Sequence, residues 1–408
     1  MKEKDSLIKF AKVNGPEEEA LLKKMNVKGY PTLFFYRDHG DNMIDYGGGR
    51  MANEMVEWVE KKIGPEAHPL KDLEEVKDYI GEHDVCIVGF FKDQDSEQAK
   101  AYKQAVKDYE EYPCGITSDM EAAAKHDAKD GQVVLFKNFD ERKAVYEGAI
   151  KKENLMEFIQ KYAVPLVIEF NHDNAQKIFR GHFKSHLLIF ISYKSDDYEA
   201  MYKAAKKLGE EFRFKVMPVT VDTDEDDHRR VIEFLGLKRD IELGRDKFPT
   251  MRIIQMKDDI DKYKVVEGVH DANDVTNVDN MRKFIQDYLD GKVPLHYLTE
   301  DLPEDWNKNP VKILTGKNFD EVVLDKSKNV LVEYYAPWCG HCKQLSPHWD
   351  KLAETFIAEK KDDIVVAKID ATANEISHSR VRSFPTIRLY KKGTADPTEY
   401  SEYNGESK

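Results

Sequence analysis

Cysteine is scarce in this chain: Cys86, Cys114, Cys339 and Cys342 are the only four among 408 residues. Four thiols cannot staple a secreted scaffold of this length, so they are catalytic, metal-binding or incidental. Long apolar runs are missing too. No stretch of about 18 apolar residues exists to span a membrane, and the opening MKEKDSLIKF lacks the apolar centre of a signal peptide. Positive charge is not in excess either. The net charge of -14 argues against a nucleic-acid partner. What remains is a globular composition, 41% hydrophobic and 34% charged. The chain is too long for one core, and its length suggests three or four domains.

Those domains repeat. GYPTLFFYRDHG (29–40), KFPTMRIIQMKDD (247–259) and SFPTIRLYKKG (383–393) share an aromatic, Pro-Thr, a β-rich run and a turn; GQVVLFKNFDE (131–141) is a degenerate copy without the proline. Each copy leads to a short strand ending near a glycine, and Gly48, Gly148, Gly268 and Gly405 lie 100, 120 and 137 residues apart. These are domain-sized intervals, not a solenoid period. Amphipathic helices are predicted after three of the four copies, at 53–64, 153–163 and 281–291, from apolar residues three and four apart. VCIVGFFKD (85–93) and HLLIFISYK (186–194) are continuous apolar runs, as for strands buried on both faces, with a helix predicted at 199–212. A strand is also predicted at LIKFAKV (7–13). The fold class is α/β, with mixed sheets flanked by helices. Cys339 stands 46 residues before Pro385, an offset that from Pro31 falls before residue 1. The fourth copy has no closing helix. The chain therefore reads as a fragment, short of a front half in its first unit and of a last helix in its fourth.

The chemistry concentrates in NVLVEYYAPWCGHCKQLSPHWDKLAETF (329–356), which reads as strand, turn and helix, with Pro347 expected to kink the helix. Cys339 falls at the helix N-terminus, where unpaired N–H groups and the helix dipole stabilise a thiolate. Cys342 follows one turn later, within reach of a mixed disulfide formed at Cys339. An exposed nucleophile beside a resolving thiol is what thiol–disulfide exchange requires. Gly340 is expected to allow the tight turn, and His341 to add partial positive charge. A zinc site needs four ligands, usually a second CxxC or a nearby His pair. Neither is present, so no metal is assigned.

WCGHCK with SFPT downstream resembles the thioredoxin superfamily. PCGITSDME, KDGQVVLFKNFDE, VPLVIEFN, LPEDWNKNPVKIL and YYAPWCGHCKQLSP, in this order, resemble the protein disulfide isomerase family along the whole chain. The resemblance implies tandem thioredoxin-like domains: a partial a domain (1–65) without its CxxC, a redox-inactive b domain (66–162), a substrate-binding b′ domain (163–291), an x linker (292–309) and an a′ domain (310–408) carrying CGHC. It implies a thiol–disulfide oxidoreductase and isomerase whose electrons reside in the cysteine pair, with no other cofactor. The endoplasmic reticulum lumen is the compartment it implies. Partners would be unfolded polypeptides, glutathione or an upstream thiol oxidase, and the α subunit of prolyl 4-hydroxylase. The other reading is a redox-independent holdase or a structural subunit of a prolyl 4-hydroxylase complex.

The resemblance also assigns roles. Cys339 would be the nucleophile and Cys342 the resolving thiol. Glu333, from the residues alone either a strand-edge carboxylate or a buried acid, would exchange protons with Cys342. Lys368 would partner Glu333, and Arg382 would swing toward the pair. Pro385 would be cis and lie against the disulfide. In b′, Phe170, Phe179, His186 and Leu188 match positions around a polypeptide pocket, although each is equally an ordinary core residue. Trp306, a large aromatic in a polar, proline-flanked segment, would cap that pocket. Cys86 is expected to be a buried core thiol.

Overall fold

Apolar runs too hydrophobic to tolerate water on either side become the central strands of two of the sheets. The computed structural model describes residues 8–37, 42–107, 109, 111–171, 174–175, 178, 183–257 and 259–403. The chain divides into two compact units, Met1–Asn138 with Arg142–Met156, and Phe139–Glu141 with Glu157–Lys408.

The first unit holds two sheets. Strands β1 (Phe34–Arg37) and β2 (Asn42–Asp45) form an antiparallel pair, followed by helix Ala52–Ile63. A five-stranded sheet then uses β3 (His68–Leu70), β4 (Val85–Phe90), β5 (Cys114–Thr117), β6 (Gln132–Lys137) and β7 (Lys143–Tyr146) in the order β3-β5-β4-β6-β7. The three strands β3, β5 and β4 are parallel, and β6 and β7 continue antiparallel. Every residue of β4 is buried, as its unbroken apolar run requires. Cys86 lies within β4, fully buried, and burial pushes its thiol up to about 12. It is a core residue and not a nucleophile.

The second unit repeats that order twice. β8 (Ile168–Glu169), β9 (Ser185–Ile191), β10 (Met217–Asp222), β11 (Thr250–Met256) and β12 (Ile260–Lys264) run β12-β11-β9-β10-β8. β13 (Lys312–Leu314), β14 (Asn329–Tyr335), β15 (Ile364–Asp370), β16 (Thr386–Tyr390) and β17 (Ser401–Glu402) run β13-β15-β14-β16-β17. The parallel and antiparallel pattern is the same each time. Helices Tyr198–Glu211 and Val278–Leu289 contribute Met201, Leu208, Phe284 and Ile285 to one face of β9 and β11. The other face packs Leu188, Phe190, Val219 and Ile254. In the last sheet, helix Gly340–Ala358 lies against β15, and Trp349 donates its indole N–H to the Ala367 carbonyl at 3.1 Å.

One predicted strand is absent. Residues 8–13, the described part of LIKFAKV, form no ladder, and Phe10 is 80% exposed. An apolar strand is held by neighbours on both edges, and the β1–β2 pair offers this segment none among the described residues.

Candidate functional site

Strand β14 delivers the chain to the site. Along it, Leu331, Glu333 and Tyr335 face helix Gly340–Ala358, while Val330, Val332 and Tyr334 face the opposite core. The strand ends in a turn closed by Cys339 N–H donating to the Ala336 carbonyl at 3.0 Å. The helix begins at once. Cys339 is its N-cap, with extended backbone, and its Sγ accepts the Cys342 N–H at 3.1 Å. Cys339 and Cys342 form a disulfide with Cα atoms 5.3 Å apart. The two CxxC thiols are thus brought together where helix N–H groups are unpaired.

The neighbours cover the sulfurs more than the sequence predicts. Cys339 is 6% exposed and Cys342 4%, so the nucleophile is not an exposed thiol in the disulfide form. Tyr335 and Phe384 pack on the pair. Trp338, 72% exposed, stands edge-to-face to Phe384 with centroids 5.8 Å apart. The Phe384–Pro385 bond is cis, as are Tyr30–Pro31 and Phe248–Pro249. Thr386, at the start of β16, pairs with Tyr334 at the end of β14, which sets the cis proline beside the disulfide. Gly340 departs from expectation. Its backbone is not left-handed, and nothing lies within 4 Å of where a Cβ would stand. It is simply the first residue of the helix, so the turn does not require glycine. His341 follows it, exposed.

Glu333 lies under the helix, 2% exposed. Its register partner on β15 is Lys368. Burial pushes its carboxyl up to about 7; the Lys368 ammonium pulls it back and Asp350 on the helix adds to the rise. A carboxyl poised at neutrality can both accept and return a proton. The strand-edge surface alternative is excluded for Glu333 by this burial. Asp350 was not foreseen, although its place one residue after Trp349 on an amphipathic helix was the available signal. Arg382 is exposed, three residues before Pro385, and lines a cavity of about 410 Å³ between the β12 edge and the loop from β15 to β16. A further group that sequence reasoning missed lies on the opposite face of β14. Tyr334, Ser379 and Tyr390 share hydroxyl hydrogen bonds of 2.5–2.8 Å, and Arg388 donates to Ser379 at 3.0 Å.

The residues expected around a polypeptide pocket lie in the β8–β12 sheet. Leu188 is in the core, and Phe170 packs against the same cluster, edge-to-face with His228. His186 is 1% exposed, and burial lowers its imidazole to about 4. Its Nδ1 has no hydrogen-bond partner. Phe179 lies outside the described residues. Trp306 is half-buried in a turn whose carbonyl accepts the Ile313 N–H at 2.9 Å, tying it to β13. Among the described residues no group of three or more His, Cys, Asp or Glu could hold a metal ion. No helix there is long and apolar enough to cross a membrane.

A helix-capping CxxC disulfide, a cis proline beside it and a buried acid beneath it, on a mixed sheet, define a thioredoxin-fold thiol–disulfide oxidoreductase. Comparison with known proteins narrows the class. The family model described as a thioredoxin-like domain matches residues 91–287, and that described as thioredoxin matches 1–61 and 310–408. Protein disulfide-isomerase of Drosophila melanogaster is 42% identical over 390 residues, 96% of this chain and 75% of its own length. Protein disulfide-isomerase of Gallus gallus is 40% identical over 408 residues, covering 100% of this chain and 76% of its own length. That of Oryctolagus cuniculus is 39% identical over 408 residues, covering 100% of this chain and 77% of its own length. The chain belongs to the protein disulfide-isomerase family.

Proposed function

We propose that the chain forms, reduces and rearranges disulfides in folding polypeptides through Cys339 and Cys342. The observation that carries this reading is the disulfide at the helix N-terminus, with Cys339 Sγ accepting the Cys342 N–H. In oxidation, a substrate thiolate attacks Cys339 Sγ. The Cys339–Cys342 bond breaks, and Cys342 leaves as a thiolate that takes its proton from Glu333. The substrate's second thiolate then attacks its own sulfur in the mixed disulfide. Cys339 departs, and the substrate is oxidised by two electrons. In isomerisation, the Cys339 thiolate opens a substrate disulfide, and a different substrate thiolate displaces it, with no net electron transfer. A trapped intermediate is released when Glu333 takes the Cys342 proton and Cys342 attacks Cys339 Sγ.

Lys368 sets the charge state of Glu333, Arg382 approaches the pair as Cys342 ionises, and the backbone at Pro385 aligns substrate. The segments 1–65, 66–162, 163–291, 292–309 and 310–408 take the a, b, b′, x and a′ roles. Unfolded polypeptide binds b′ around Phe170, His186 and Leu188, with Trp306 at the linker. Glutathione or an upstream thiol oxidase resets the pair, the cysteines carry the electrons without a metal or organic cofactor, and the compartment is the endoplasmic reticulum lumen. The β8–β12 sheet contains no cysteine, so holdase binding, or a structural role beside a prolyl 4-hydroxylase α subunit, would be separable from exchange.

The test is the double variant Cys339→Ser with Cys342→Ser. It is expected to lose all reactivation of scrambled ribonuclease while still suppressing aggregation of a cysteine-free client. Reactivation at the wild-type rate would overturn the assignment of the pair.

A further inference from the structure

The loop joining β15 to β16, residues 371–385, ends at the cis Phe384–Pro385 bond beside the disulfide, yet its middle is gripped from another sheet. Glu375 accepts from the Lys262 ammonium of β12 at 2.6 Å and from the Leu298 N–H at 2.9 Å, and donates its own N–H to the Leu298 carbonyl at 2.7 Å. Lys262 is 5% exposed, with its ammonium 4.1 Å from the Phe234 ring centroid. The Lys262 carbonyl in turn accepts the His296 N–H at 2.8 Å. Asn374 accepts from the Glu300 N–H at 2.9 Å. Arg380 reaches Asp259 and Asp261 at 2.8 and 3.4 Å. Residues 296–300 are therefore not a loose spacer. They are sewn into a seam with β12 on one side and the loop on the other.

We propose that Lys262 and Glu375 are positioning residues for disulfide exchange: by closing this seam they set where the loop places Phe384 and Pro385 against the Cys339–Cys342 pair. The inference rests on that pair being the catalytic one. Neither residue touches the sulfurs. Their effect passes along the loop, whose far end packs on the disulfide through Phe384. The ion pair is the element most sensitive to change, because one partner is almost fully buried. Removing Glu375 strands the Lys262 ammonium without its counter-charge and opens the seam. The inner contacts of Ser379 with Tyr334 and Tyr390 keep the loop folded, so an opened seam displaces the loop and does not unfold it. Exchange is sensitive to such displacement, since reacting groups held an ångström out of line lose much of their rate.

The experiment measures kcat and KM for reactivation of scrambled ribonuclease by the full chain. The variants are Glu375→Gln, Lys262→Met and the charge swap Lys262→Glu with Glu375→Lys. Each single change is expected to lower kcat about tenfold, with KM changed by less than about twofold. The swap is expected to restore most of the loss. Singles with wild-type kcat overturn the proposal, and so does a folded swap that stays as slow as the singles. Should Lys262→Met fail to fold, Glu375→Gln, which keeps the size but removes the charge and one of the two acceptor oxygens, decides alone. A wild-type rate that does not depend on Cys339 and Cys342 would instead sink the assignment of the pair, so the two failures are distinguishable.

Discussion

At the scale of single residues, Glu333 connects sequence to chemistry most directly. A glutamate inside LVEYY is conspicuous, because a charged residue interrupts a buried strand only with a partner or a task. Its folded pKa of about 7 lies above the ordinary 4.5. The folded state therefore holds a proton that the unfolded chain has already lost between those values. The resulting contribution to stability is full below about pH 4.5 and is lost as pH rises through about 7, amounting to about 3 kcal/mol. Glu333→Gln is expected to flatten that part of the stability–pH curve in denaturant titrations. The same substitution removes the proton acceptor for Cys342 and is expected to slow release of a mixed disulfide at Cys339 about 10²-fold. In single-turnover release of a disulfide-linked peptide from pH 5 to 9, the wild-type rate should climb through an inflection near 7. A variant that keeps the inflection would show that another group moves the proton. The pair and Glu333 were readable from their residues, and the cis proline from the family resemblance. Lys262 and Glu375 were not. They look like any surface lysine and glutamate, and only the fold brings residues 113 apart into one ion pair.

At the scale of elements, the helix carrying the disulfide is held by one large anchor. Trp349 is 4% exposed, packs with Ala353 and Val366, and donates to the Ala367 carbonyl of β15. Trp349→Ala removes both the packing and the bond and is expected to cost about 3–5 kcal/mol. Trp349→Phe keeps most of the volume and leaves that carbonyl without its indole donor, for about 1 kcal/mol. Urea denaturation of both variants checks the ordering; equal midpoints would mean that Trp349 is not the anchor. Helix periodicity placed this element and the helices ending at Ile63, Tyr162, Glu211 and Leu289 to within three residues at each C-terminus, because a stripe of apolar residues fixes which face is buried. It gave no warning that residues 8–14 form no strand. An apolar run states that a segment wants burial, not that neighbours are there to pair with it. The hydroxyl cluster of Tyr334, Ser379 and Tyr390 was illegible for a related reason: alternation along β14 and β16 assigns each tyrosine a face, while the serine between them arrives from a loop.

At the scale of the whole chain, stability should be uneven, and the unevenness can be ranked. Three five-stranded sheets each bury a continuous core, with central strands hydrogen-bonded on both edges. Among the described residues, 8–63 offer one four-residue antiparallel pair, two α-helices and one 3-10 turn. They expose Phe10, Val13, Tyr30, Met51 and Ile63 by more than half. Two strands alone are marginal in water, and cleavage reports the population of the locally opened form. Chymotrypsin at low concentration is therefore expected to cut first within residues 8–63, at exposed sites such as Phe10 and Tyr36, before bonds within strands β3–β7 or β8–β12 are lost. Mass spectrometry of timed digests reads the order directly. First cuts inside either of those sheets would mean that residues 8–63 are protected by contacts stronger than their own hairpin supplies. The groups that position Cys339 and Cys342 lie between β14 and β16 or along the β12 seam, so opening of residues 8–63 is not expected to slow exchange.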